Sequence, residues 1–298
     1  MQEIYLAILA GLGGMFGWGL ADFFAKKTVD KTGNIKTLLW MQLLGIFPFC
    51  IYLMFNWELP IFTPRIILFL FLLGLVNVFA YLLFYRGLEK GMVSVLAPVL
   101  AASGGVAVLV SAFLFGEVIE FLRWIGIAIA FLGTILVAFQ PQGLKNKLSL
   151  KNLSKGVPEV LASMIMFGFF FPCWDWFLEY QERGLVSSVI LLRVIAVISL
   201  VVFIYITAKI KKTSTEIGVR GKNIWVWLVL IGLFDALAVI FTAWGYRFTS
   251  ITSVIAMLSA AFSLPTVILA RIFLKEKLAF GQTIGVIGII GGLIILAI

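Results

Sequence analysis

Four ionisable side chains stand inside long apolar runs of the chain: Asp22, Asp175, Arg193 and Asp235. A charge at the centre of a spanning helix costs about 2.5–3.5 kcal/mol on insertion scales, so each needs a partner, a cavity or a coupling ion. Asp235 lies in the middle of the run 223–246, too deep for its short side chain to reach either interface. It serves either a cavity or coupling ion, or a buried structural hydrogen bond. Arg193 lies inside the run 185–208, and Asp175 lies shortly before the end of the run 157–178. Helices joined by so short a connector run antiparallel, which lets these two form an ion pair. That pair is either a static bridge or a gate; alternatively Arg193 receives a carboxylate, which guanidinium matches bidentately. Asp22 sits near the end of its run beside Lys26 and Lys27 and reads as an interfacial charge.

Polar and aromatic companions extend this set. Asn77 has a depth equivalent to that of Asp235, and Tyr81, four residues on, shares its helix face. Thr242 follows Asp235 by seven residues and lies on that residue's face. Trp57, Trp124, Trp225 and Trp227 lie near run ends, the positions of an interfacial aromatic belt. Trp18 and Trp174 fall further from the ends, where lining a cavity and joining the belt are both open. The candidate solute-binding set is therefore Trp18, Asn77, Tyr81, Trp174, Arg193, Asp235 and Thr242, with Asp175 and Arg193 as the candidate gating pair.

The chemistry left out is equally informative. The chain contains no histidine, which removes His-ligated metals, Ser-His and Cys-His catalytic pairs and imidazole relays. Cys50 and Cys173 both fall in apolar runs and read as small core residues. No G-x-x-x-x-G-K-[ST] loop occurs, which argues against direct ATP drive. The three buried-run aspartates never share a short motif, so an enzyme lacks a constellation, and no metal or cofactor is expected.

These groups must be positioned by helices in a bilayer. The 298 residues are 62% hydrophobic and only 12% charged, with a mean hydropathy of +1.13, against roughly 45–50% apolar and 25% charged in soluble domains. Apolar runs at 4–24, 35–55, 64–85, 92–115, 121–139, 157–178, 185–208, 223–246, 251–273 and 279–298 predict ten transmembrane helices in an all-α, polytopic membrane protein surrounded by lipid. The first run lacks a basic flank before it and reads as a span rather than a cleaved signal. Eighteen basic residues, from Lys26 and Lys27 through Arg86 and Lys90 to Lys275 and Lys277, fall in connectors on one side. Only Arg65, Arg123, Arg183 and Arg247 fall on the other. Positive charge collects on the cytoplasmic face, which predicts a cytoplasmic-membrane protein with both termini outside. The formal charge of +9 therefore belongs to connectors and not to a nucleic-acid-binding face.

The basic connector 140–156, with Pro141 and Gly143, divides the chain into five runs in 1–139 and five in 157–298. Two similar halves of odd span number sit in opposite orientations, an inverted repeat typical of secondary transporters. A shift of 158 places Gly74 on Gly232, Asn77 on Asp235, Ala80 on Ala238 and Gly87 on Gly245. A shift of 159 places Glu117 on Glu276, Gly126 on Gly285 and Gly133 on Gly292; a shift of 151 places Gly17 on Gly168 and Gln42 on Arg193. Gly285, Gly288, Gly291 and Gly292 form a smooth ridge for close helix packing. Glu117 and Glu276, in hairpins, are expected to cap the helix that follows each. Pro98 and Pro265 interrupt the fourth and ninth runs, as hinges or as ordinary membrane-helix prolines.

With Phe16-Gly17-Trp18-Gly19, Gly116-Glu117, Lys275-Glu276 and the glycine-rich closing helices, the chain resembles the EamA type of the drug/metabolite transporter superfamily over nearly its whole length. It departs at Gln42, where the arginine kept as Arg193 would stand, and at Phe169-Phe170, where Trp-Gly would stand. The resemblance implies a secondary transporter that moves amino acids, related metabolites or toxic organics, commonly outward. A proton coupled through Asp235 or Asp175 and simple facilitated diffusion are both compatible with the residues. A lipid flippase or a channel is the alternative, and an intramembrane enzyme is a weaker one.

Overall fold

The structure, a computed structural model, describes residues 2–58, 63–116, 118–138, 153–181, 184–211, 217–248 and 252–296. Apolar sequence in a bilayer must satisfy its own backbone polar groups, and helices do so within one segment. Twelve helices are present among the described residues: α1 (Gln2–Thr32), α2 (Asn34–Phe55), α3 (Pro64–Lys90), α4 (Val93–Ala101), α5 (Ser103–Phe115), α6 (Phe121–Ala138), α7 (Val157–Gln181), α8 (Leu185–Lys211), α9 (Lys222–Phe248), α10 (Thr252–Ala260), α11 (Ser263–Phe273) and α12 (Phe280–Leu296). Eight stretches are long and apolar enough to cross a membrane, α4 and α5 together making one of them; Leu258–Phe273 and Phe280–Ile295 are shorter apolar helices. Most of the expected basic connector 140–156 lies outside the described residues.

Two runs expected as single helices are each broken. The fourth breaks at Ala102 and the ninth at Ala261 and Phe262, positions that coincide at the repeat shift of 159. Pro98 stands inside α4, and its carbonyl accepts from the amide of Ala102 at the break, 3.2 Å away. Pro265 lies in the first turn of α11, where a missing N–H leaves no helical bond unmade.

The halves pack reciprocally. The first helix of each half lies on the third helix of the other, α1 on α9 and α7 on α3, and the two second helices, α2 and α8, meet each other. The two closing helices, α6 and α12, also pair. A Cβ on Gly133 would come within 2.6 Å of the Gly285 carbonyl oxygen, and one on Gly292 within 2.6 Å of that of Gly126. Gly126 corresponds to Gly285 and Gly133 to Gly292, so the two approaches exchange under the repeat, as a pseudo-two-fold requires. In lipid, where tails are as apolar as side chains, such close backbone packing is a main source of helix association.

Glu276 caps a helix, though not the one that follows it. Its Oε1 and Oε2 accept from the amides of Val93 (3.2 Å) and Ser94 (2.9 Å) at the N-terminus of α4. The carboxylate answers two orphan donors and the positive end of that helix dipole, tying the second half to the first. Glu117 lies outside the described residues.

Candidate functional site

The site forms where α2, α3, α8 and α9 converge. Gly45 on α2 and Gly232 on α9 let those helices touch: a Cβ on Gly232 would lie 2.8 Å from the Gly45 amide nitrogen. The space left at Gly45 is filled by the guanidinium of Arg193 from α8, and a Cβ there would collide with Nη1. Arg193 is 6% exposed and Asp235 4%, so neither reaches solvent. Arg193 Nη2 donates to Asp235 Oδ2 in a buried ion pair. Nη1 donates to Gln42 Oε1 at 3.1 Å, and the guanidinium lies 5.0 Å from the centroid of the Phe49 ring. The hydroxyl of Tyr81 on α3 donates to the other carboxylate oxygen of Asp235, Oδ1, at 3.3 Å. A buried ion pair offsets its desolvation only when its remaining polar atoms are also bonded, and both oxygens of Asp235 meet that condition. Arg193 Nε is buried without a hydrogen-bond partner.

Arg193 thus finds its partners on α2 and α9. The guanidinium is engaged by Asp235 and Gln42, which share its depth, whereas Asp175 is exposed towards the end of α7. Gln42 and Arg193 are repeat equivalents, so their hydrogen bond lies across the pseudo-two-fold itself. Gln42 enters the site as an unexpected member. Its only signal in the sequence is the alignment with Arg193.

Asp22 also departs from expectation. One turn beyond it, Lys26 donates to the carbonyl of Leu88 on α3 at 2.7 Å, so the face that carries Trp18, Asp22 and Lys26 looks towards α3. Asp22 Oδ2 is buried without a hydrogen-bond partner. Its charge lies within electrostatic reach of Asp235, Tyr81 and Tyr85. An interfacial carboxylate would be solvated; this one is turned inwards beside the ion pair.

Aromatic rings wall the other side. Tyr81 meets Phe167 edge-on at 5.1 Å, and Trp174 stacks between Phe170 (6.1 Å) and Phe177 (5.5 Å) on α7. Trp18 and Asn77 are half-buried on α1 and α3. Thr242 is buried, but its hydroxyl donates to its own helix, to Ala238 (2.9 Å) and Val239 (3.1 Å), while its methyl faces Gly14 of α1. The structure thus joins Tyr81, Arg193 and Asp235 directly and gives Thr242 an in-helix bond.

A family model described as the EamA-like transporter family matches residues 5–139 and 154–298. The chain belongs to the EamA-like transporter family. Two copies of one unit, matched end to end, account for the reciprocal packing of this EamA-like chain and for its character as a membrane transporter of small solutes. A solved structure, described only as the crystal structure of a protein, covers 97% of this chain and 95% of its own at a TM-score of 0.64 and 14% sequence identity, a likeness of fold alone. Comparison with curated proteins yields no match.

Proposed function

We propose that this EamA-like chain is a secondary transporter that moves a small organic solute across the cytoplasmic membrane by alternating access, in the direction of export. The observation that carries the reading is the Gln42–Arg193–Asp235–Tyr81 constellation, with Gln42, Arg193 and Asp235 buried and Tyr81 half-buried, built from both halves across their pseudo-two-fold. Movement of the first repeat, 1–139, against the second, 157–298, opens that centre to either side in turn. Trp18, Asn77, Tyr81, Trp174, Arg193, Asp235 and Thr242 are the residues assigned to the solute path, with Asp175 and Arg193 contributing to gating. A cavity of about 630 Å³ at the basic end, between Lys26, Lys90, Lys155, Glu276, Lys277 and Gln282, supports access from that side. That side is the cytoplasm by the distribution of basic residues, with both termini outside. A proton taken by Asp235 or Asp175 is the candidate coupling ion.

The test combines binding and flux. Purified chain is screened by thermal shift against amino acids, nucleobases, sugars and organic cations, because a ligand specific to the folded state raises its apparent stability. A stabilising solute is then loaded into proteoliposomes and its counterflow measured. The reading expects saturable counterflow, lost in Asp235→Asn and Arg193→Gln. Flux without saturation would point to a channel. Scrambling of labelled lipid without solute counterflow would point to a flippase.

A further inference from the structure

The central site brings two aspartates, Asp22 and Asp235, to one guanidinium, Arg193. Arg193 is the one cation of the constellation, and its two terminal nitrogens are committed: Nη2 to Asp235, Nη1 to Gln42. The ring of Phe49 lies 5.0 Å from the guanidinium on another side. Nε is buried without a partner. A carboxylate that reached the remaining N–H groups of Arg193 would have to approach Asp235, already paired with the same guanidinium, and would be repelled by it. The aspartate that is left over is Asp22. The nearest lysine on its own helix face, Lys26, donates instead to Asp30 Oδ1 at 2.8 Å and to the Leu88 carbonyl at 2.7 Å. Lys27 lies over the Trp227 ring, 4.6 Å from its centroid. Asp22 Oδ2 stays buried and unbonded beside Tyr81 and Tyr85.

An ionised carboxylate out of water is costly unless paired and hydrogen-bonded. A solute bearing an ammonium supplies both the missing charge and the missing donor. The rings around Asp22 suit such a group: Trp18 is one turn away on the same face of α1, and the faces of Tyr and Trp attract cations within about 6 Å of the centroid. A carboxylate in the same place would meet Asp22 and Asp235 together and be repelled by both.

We propose that Asp22 sets the charge class of the transported solute, and that the central site takes a small organic cation whose ammonium bonds Asp22 Oδ2. The proposal rests on the carrier reading given above, and it names the substrate class of that same site. Asp22 acts here as a binding residue; the Arg193–Asp235 pair remains intact while the cation is bound.

The test uses three probes of one shape on the full chain in detergent at fixed salt: phenethylamine, 2-phenylethanol and 3-phenylpropionate. Thermal shift and isothermal calorimetry read binding. The expected result is saturable binding of the amine alone. Asp22→Glu retains it, and Asp22→Asn weakens it by about tenfold or more, the worth of a hydrogen bond to a charged group. Preference of the wild-type chain for the carboxylate or the alcohol overturns the proposal without any variant. So does amine binding of unchanged affinity in a folded Asp22→Asn chain. Silence towards all three, with a pH-dependent melting temperature that Asp22→Asn flattens, makes Asp22 a proton site only and also overturns it. Amine binding that depends on Asp22 but gives no counterflow in proteoliposomes upholds the charge selection and sinks the carrier reading, so the two fail separately.

Discussion

Removing either member of the Arg193–Asp235 pair is predicted to have unequal consequences. Both side chains are almost wholly buried, at 7% and 5% exposure. Breaking such a pair by removing one partner costs about 3–5 kcal/mol, because the survivor is left as an uncompensated buried charge. The survivors differ. In Arg193→Gln, Asp235 keeps the Tyr81 hydroxyl and can take a proton, which removes its charge. In Asp235→Asn, Arg193 cannot lose its proton and keeps a full charge among apolar residues. Asp235→Asn is therefore the more damaging substitution, at about 3 kcal/mol or more, with Asp22 nearby tempering the loss; Arg193→Gln should cost about half of that. On a melting curve, 3 kcal/mol corresponds to about 6–12 °C if the scale for domains of 150–250 residues holds for this bundle. Thermal unfolding of both variants in one detergent, followed by intrinsic fluorescence and size-exclusion monodispersity, gives the comparison. Replacing both at once with apolar residues, as Arg193→Met with Asp235→Leu, should recover stability beyond either single variant. Equal losses, or a milder loss in Asp235→Asn, would refute the reasoning.

Other consequences can be measured in the same way. Tyr81→Phe removes the donor to Asp235 Oδ1 while keeping the ring against Phe167, and should cost about 0.5–1.5 kcal/mol in thermal stability. Glu276→Ala strips both bonds from the N-terminus of α4 and should lower stability by about 1–2 kcal/mol, with Glu276→Gln intermediate. Gly133→Leu drives a side chain into the backbone of α12 at Gly285 and should cost more than Leu132→Ala, whose side chain is 62% exposed, when both are melted in parallel.

Much of this architecture is legible in one sequence, for a physical reason. Hydrocarbon sets span length and charge sets connector position, so the apolar runs predict the helices with boundaries displaced chiefly where α1 and α3 continue through charged ends to Thr32 and Lys90. The repeat is visible because coincident glycines answer one packing demand twice, as Gly126 and Gly133 do against Gly292 and Gly285. Hydropathy also picks out Arg193 and Asp235, because a charge in an apolar run is conspicuous. It does not show that they pair. Partner choice depends on how α8 crosses α9 at a common depth, and chain proximity points instead to Asp175. Gln42 escapes for a related reason: an uncharged amide in a spanning run draws attention only after Arg193 is set beside it. Glu276 misleads in the same way, since local sequence suggests a cap for the next helix and the fold delivers it to α4 of the other half. Asp22 reads as interfacial from its lysine neighbours, and only the packing of α1 on α3 turns its carboxylate inwards.

The central claim is that a site shared by both halves is reached from each side of the membrane in turn. It is tested most directly with Asn77→Cys in a chain whose Cys50 and Cys173 are replaced by serine. The protein is reconstituted in one orientation and treated with a membrane-impermeant maleimide from outside or inside. Alternating access predicts that the introduced thiol reacts from both sides, and that a bound solute slows both reactions. Labelling from one side alone, however long the exposure, would contradict it.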